Sequence, residues 1–286
     1  MAPSDPPQSS STAPQTYSPR LRETFARLAA EGRKAFIPYI TAGDPDLATT
    51  GLIMDALAEG GASVIELGVP FSDPMADGEV IQAAMLRALA AGTNFKRVLE
   101  LVRAFRARHA TPIVLFGYLN PLFRHGLEVA AREAADAGAD AFLVVDLPPE
   151  EAPQLTDHLH ANALDFVSLF TPTSSDERMR AIASQASGFA YYVSMAGITG
   201  DALSDLEEVA SRTEEVRRAT GLPVAVGFGI QTEDDAVRVG RFADGVVVGS
   251  QLVKALAAAG PAGAPAVALD FARRFRAALD NAPAKS

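Results

Sequence analysis

Two carboxylates stand out where the chain is otherwise apolar or built for turning. Glu66 lies in ASVIELGV (62–69), the one ionisable residue in a strand-like run. A charge there is costly to bury, and desolvation raises a carboxyl pKa until the group holds its proton near neutral pH. A carboxylic acid in that state is what a general acid requires. The alternative is structural: Glu66 pairs with an Arg or caps a neighbouring loop. Asp77 follows eleven positions later, in a loop dense with Pro70, Asp73, Pro74 and Gly78. By itself Asp77 fits turn chemistry as well as catalysis. As a pair, one carboxyl buried and protonated and one solvated and ionised, the two could run acid and base steps on one substrate.

A second constellation is made of backbone. AGITG (196–200), GFGI (227–230) and VGSQL (248–252) are Gly-containing turns, the last opening a helix. Backbone N–H groups at such turns, together with a helix dipole, bind phosphate without Lys or Arg. The competing reading is ordinary strand-end turns. Tyr191, Phe36, Tyr39, Phe116 and Tyr118 sit on strand-like runs, where aromatic side chains usually pack in a core. They become binding candidates only for an aromatic substrate.

The elements that must position these groups are legible as an alternation. Apolar runs at 35–42, 62–69, 112–118, 140–147, 163–170, 188–194, 223–229 and 243–250 read as buried strands, separated by Ala-, Leu-, Glu- and Arg-rich stretches with helical spacing. Eight such units with right-handed parallel crossovers predict an α/β fold, a TIM (β/α)8 barrel, with active-site groups at the C-terminal strand ends. A doubly wound open sheet is disfavoured, because no G-x-G-x-x-G follows the first strand. Residues 21–32 read as an extra N-terminal helix. Residues 1–17, rich in Pro, Ser and Thr, read as a disordered tail before a single barrel domain over 18–286.

Composition narrows the functions. Asp and Glu outnumber Lys and Arg by 35 to 25, which argues against nucleic-acid binding. Cysteine is absent, excluding disulfides, thiolate nucleophiles and Cys-ligated metals. The four histidines (His109, His125, His158, His160) lie in or beside polar helical stretches, so a metal site is not expected. With no 18-residue apolar run and no signal-peptide pattern at the N-terminus, a cytoplasmic protein is expected.

The strings FIPYITAGDPD, IELGVPFSDPMADG, LVVDLPPEE, SMAGITG, GFGI and VVVGS resemble the tryptophan synthase alpha chain family, from about Leu21 to near the C-terminus. The resemblance implies cleavage of indole-3-glycerol phosphate to indole and glyceraldehyde 3-phosphate. It makes Glu66 and Asp77 the catalytic pair and adds Tyr191 to the catalytic set. It implies substrate binding by Tyr39, Tyr118, Asp146 and Thr199, and phosphate binding at Gly200, Phe228, Gly229, Gly249 and Ser250. It further implies a complex of two alpha and two beta chains, with pyridoxal phosphate only in the beta partner and no cofactor in this chain. Loops around Pro70–Asp73 and Leu119–Arg124 are the expected beta-facing surface. Two residues depart from the family pattern: Met195 stands where many relatives carry Arg, and Glu79 replaces the Pro that often follows ADG. Other readings remain: a different phosphosugar barrel, or a catalytically poor subunit that only activates a partner. Intact Glu66 and Asp77 argue against the latter.

Overall fold

All strands run parallel, and each apolar run contributes one stave. The computed structural model describes residues 16–193, 206–227 and 229–281. The strands are β1 (Ala35–Thr41), β2 (Ile65–Gly68), β3 (Ile113–Gly117), β4 (Ala141–Val144), β5 (Asp165–Phe166), β6 (Ser168–Phe170), β7 (Ala190–Val193), β8 (Val224–Gly227) and β9 (Gly245–Val248). Their order is β5-β4-β3-β2-β1-β9-β8-β7-β6. The expected fifth strand is therefore two segments, broken at Val167, of which β5 pairs with β4 and β6 with β7. Val167 still donates its N–H to the Phe142 carbonyl at 2.8 Å. That one interrupted run closes the ring, and the architecture is the TIM barrel.

Side chains alternate across each stave, as the two-residue period of a strand demands. On β1, Phe36 and Ile40 face the helices, while Ile37 joins an inner cluster with Val64, Val114, Leu143, Val167, Phe189 and Val247. The barrel interior is thus filled toward its base by this cluster, and a cavity opens near the C-terminal strand ends.

The base is plugged by the helix Pro19–Ala30, which buries Leu21, Phe25 and Leu28 in that inner cluster. Burying three such side chains is worth roughly 1.5–3 kcal/mol each. Ser18 caps this helix and reaches Asp140 through its hydroxyl at 2.8 Å. Asp140, fully buried, also accepts from Arg20 (2.7 Å), Arg106 (2.9 Å) and the Ile113 N–H (2.8 Å), so its charge is well satisfied. Asp165 accepts from the N–H groups of Tyr17 (2.8 Å) and Ser18 (3.0 Å). The described chain thus starts within the expected tail: the Tyr17 ring stacks on His160 at 3.8 Å, and residues 1–15 lie outside the described residues.

The last helix, Ser250–Asp280, is long and apolar enough to match a membrane span by composition. Gly260, at φ +65°, divides it into two arms, with Pro261 opening the second. Leu252, Leu256, Phe271 and Phe275 from both arms are buried in the outer cluster against the barrel wall.

Candidate active site

A cavity of about 430 Å³ opens at the C-terminal strand ends. Glu66 enters it from β2, in register with Tyr39 of β1 and Val114 of β3. Strand alternation turns Ile65 and Leu67 into the outer shell and leaves Glu66 inside. The side chain is 1% exposed, and its Oε1 has no hydrogen-bond partner among the described residues. Burial pushes its pKa from 4.5 up to about 8, so at neutral pH the group is a carboxylic acid. Among the described residues no Arg pairs with it and it caps no loop, which favours the chemical reading over the structural one.

Asp77 reaches the same cavity from the loop after β2. Burial raises its pKa above the ordinary carboxylate value, and a hydrogen bond from the Tyr118 hydroxyl to Oδ2, at 2.6 Å, offsets only part of that rise. Tyr118 stands just past β3, in front of the helix Leu119–His125, and its oxygen also accepts the Ala76 N–H at 3.1 Å. The tyrosine therefore ties two neighbouring loop residues to the next stave. The two carboxyls thus differ in environment: one enclosed, with an oxygen unpartnered among the described residues, the other half-buried and hydrogen-bonded.

Tyr39 and Tyr191 flank Glu66 under matching constraints. Both are buried, both line the cavity, and burial above all raises both hydroxyl pKa values, with the charges of Glu66 and Asp77 adding to it. Each ring rests on a glycine of the next strand. A Cβ on Gly68 would lie 2.2 Å from the Tyr39 oxygen, and one on Gly227 the same distance from the Tyr191 oxygen. No side chain fits at either place, so these glycines are close-approach positions. Phe116 meets Tyr39 edge-on at 5.2 Å, and with Ile81, Val145 and Leu169 it gives the cavity apolar walls suited to a flat aromatic ring.

The opposite pole of the cavity is lined by Gly229, Ile230, Gln231, Gly249, Ser250 and Gln251. Two helices begin nearby and differ. The helix Glu233–Gly240 is closed by a capping box between Thr232 and Asp235 and carries three acids in its first turn. The helix starting at Ser250 has no side-chain cap and no acid in its first turn. No side chain among the described residues takes its first N–H groups, and the helix dipole favours an anion there.

Of the residues singled out from sequence, the cavity gathers Glu66, Asp77, Tyr39, Tyr191, Gly229, Gly249 and Ser250, with Tyr118 one hydrogen bond behind. Asp146 is not brought to it. Its exposed carboxylate accepts the Leu119 N–H at 2.7 Å, which makes it a cap of the helix that follows Tyr118. Thr199, Gly200, Phe228 and Met195 lie outside the described residues. Glu79 is exposed in the first turn of the helix Glu79–Ala90, where a carboxylate suits the dipole. Sequence reasoning missed Gln82, whose amide donates to the Asp77 carbonyl at 2.7 Å, and Thr171 on the cavity wall. A polar residue one helical turn after the catalytic loop was the only signal for Gln82.

Fold and site together define a class: a TIM-barrel enzyme with two carboxyl groups in unlike environments around an apolar cavity, and a helix N-terminus without a side-chain cap among the described residues at its rim. Residues 25–277 match the family model described as tryptophan synthase alpha chain. A tryptophan synthase alpha chain from Phenylobacterium zucineum is 54% identical over 241 residues, covering 84% of this chain and 87% of that protein. One from Burkholderia pseudomallei is 51% identical, covering 92% and 97%. The crystal structure of tryptophan synthase subunit alpha from Legionella pneumophila superposes with a TM-score of 0.86 at 42% identity, covering 92% and 98%. A tryptophan synthase structure from M. tuberculosis gives 0.80 at 33%, covering 91% and 99%. The chain belongs to the tryptophan synthase alpha chain family, lyases of tryptophan biosynthesis that cleave indole-3-glycerol phosphate.

Proposed function

We propose that Glu66, Asp77 and the open pole carry the lyase reaction in named roles. The observation that carries this reading is Glu66, buried with its Oε1 unpartnered among the described residues, in an apolar cavity that also holds Asp77. The indole ring lies between the apolar walls, and the phosphate lies on the N–H groups at Gly229, Gly249 and Ser250, with Thr199, Gly200 and Phe228 as further members of that subsite. Glu66 delivers its proton to indole C3, which makes the ring an electron sink. The bond from C3 to the glycerol phosphate chain then breaks, and its electron pair returns to the ring. The adjacent hydroxyl becomes the aldehyde and gives its proton back to the Glu66 carboxylate. Asp77 faces the indole N–H and stabilises the positive charge that develops there. Tyr39 and Tyr191 complete the wall around Glu66. These steps need no metal or cofactor in this chain, and pyridoxal phosphate is assigned to the beta partner.

Removing the Tyr118 hydroxyl tests the Asp77 role. Its hydrogen bond lowers the Asp77 pKa, so Tyr118→Phe raises it. Asp77 acts ionised, and activity therefore fades as pH falls through its pKa. The acid limb of the kcat/KM profile should move to higher pH, with turnover at neutral pH about tenfold lower. An unmoved limb would count against the assignment.

The family implies a complex with a beta subunit, and we assign two alpha and two beta chains, located in the cytoplasm. Met75, 88% exposed, follows the loop around Pro70–Asp73, and Phe123, 63% exposed, lies in the segment Leu119–Arg124, which forms a helix and not the expected loop. Large exposed apolar side chains at one rim support that face as the beta-binding surface. The assay is indole release from indole-3-glycerol phosphate with and without a beta chain. Acceleration by the beta chain is expected; fast cleavage indifferent to it would indicate a free-standing lyase, and no cleavage in either case would overturn the reading.

A further inference from the structure

We infer that Gln82 is a positioning residue that sets the direction of the Asp77 carboxylate by holding the main chain of its loop. The inference rests on the role of Asp77 given above. Gln82 sits in the first turn of the helix Glu79–Ala90, and its own N–H is fixed to the Gly78 carbonyl at 3.0 Å. From that anchored base its amide turns back and donates to the Asp77 carbonyl at 2.7 Å and the Pro74 carbonyl at 3.3 Å. Pro74 O also accepts the Asp77 N–H at 3.1 Å. The loop 74–78 is thereby closed into a clasp whose pin is a side chain, on a segment that is otherwise largely exposed.

The clasp and Tyr118 act on different parts of one residue. Tyr118 engages only Oδ2 of Asp77, and a single bond to one oxygen leaves the carboxylate free to swing about it. Gln82 holds the Asp77 peptide, from which the side-chain direction follows. With both in place Oδ2 is occupied, and Oδ1 is the oxygen left, among the described residues, to meet a substrate N–H. Displacing a reacting group by about 1 Å can cost on the order of 100-fold in rate, so a pin far from the reacting atoms can matter for kcat.

The test uses Gln82→Met, which keeps the length and loses the donor, and Gln82→Glu. For Gln82→Met, kcat should fall about 10- to 100-fold while KM moves less than about threefold, because the clasp shapes the transition-state contact and not the binding walls. Gln82→Lys, which restores a donor, should recover most of that loss. Gln82→Glu sets a carboxylate against two carbonyls; its activity relative to the parent should rise as pH is lowered and the new acid becomes a donor. A residue with a merely structural role would shift the melting temperature without these kinetic signatures. The decisive comparison is Gln82→Met built on Asp77→Asn. If Gln82 works through Asp77, the second substitution adds almost nothing. Full additivity, or an unchanged kcat in Gln82→Met, overturns the inference while leaving the Asp77 role intact. Near-normal turnover in Asp77→Asn alone would remove that role, and the inference with it.

Discussion

Glu66→Gln should abolish most cleavage and at the same time make the protein more stable above neutral pH. Loss of the transferable proton removes a factor of roughly 10²–10⁴ in turnover. The stability gain follows from linkage. In the unfolded chain the carboxyl titrates near 4.5, and in the folded chain burial holds it protonated up to about 8. Below 4.5 both states carry the proton and Glu66 has no effect. Between the two values the unfolded state ionises and the folded state does not, so stability falls as pH rises and levels off above about 8. Each unit corresponds to about 1.4 kcal/mol, which sets an upper bound of about 5 kcal/mol. Glutamine does not titrate, but its amide would also lack partners in that site, and a gain of about 1–3 kcal/mol at pH 8 is expected once that cost is included. Denaturant melts of both proteins at pH 5 and pH 8 provide the check. A stability difference that is the same at both pH values would contradict the burial argument. In the parent enzyme, kcat/KM should decline as pH rises through about 8, the point at which free Glu66 loses its proton; a flat profile there would remove it as the acid.

Asp77→Asn should reduce turnover by about 10²- to 10³-fold with little change in stability. Asparagine keeps the shape and can still accept from Tyr118, so the loop remains tied to the stave after β3. What is lost is the negative charge opposite the indole N–H. That charge matters most in the transition state, so the loss should appear in kcat, with KM nearly unchanged. Steady-state kinetics on the purified variant, beside its melting curve, separate the two effects. A raised KM with intact kcat would recast Asp77 as a binding residue.

Gln82 and Asp146 show where sequence reasoning stops. Gln82 lies in the first turn of a helix and Asp146 in the turn after β4. One turns back onto the catalytic loop, while the other, expected at the substrate, caps a neighbouring helix instead. Polar residues near strand ends and helix starts have many partners open to them, and which partner is taken depends on loops that meet only after the barrel closes. The fifth stave is a similar case. ALDFVSLF reads as one strand, but between β4 and β7 it pairs with two different neighbours and breaks at Val167.

The sequence by itself determined the barrel, the carboxylate pair and the glycine turns, because strand and helix periods are local and a lone Glu in an apolar run is conspicuous anywhere. The tertiary structure alone decided that Glu66 Oε1 has no partner among the described residues, that Tyr39 and Tyr191 lie over Gly68 and Gly227, and that no described side chain caps the helix at Ser250 while its neighbour is capped. Each of these depends on what stands on the adjacent stave, and adjacency around a closed barrel joins residues far apart in the chain.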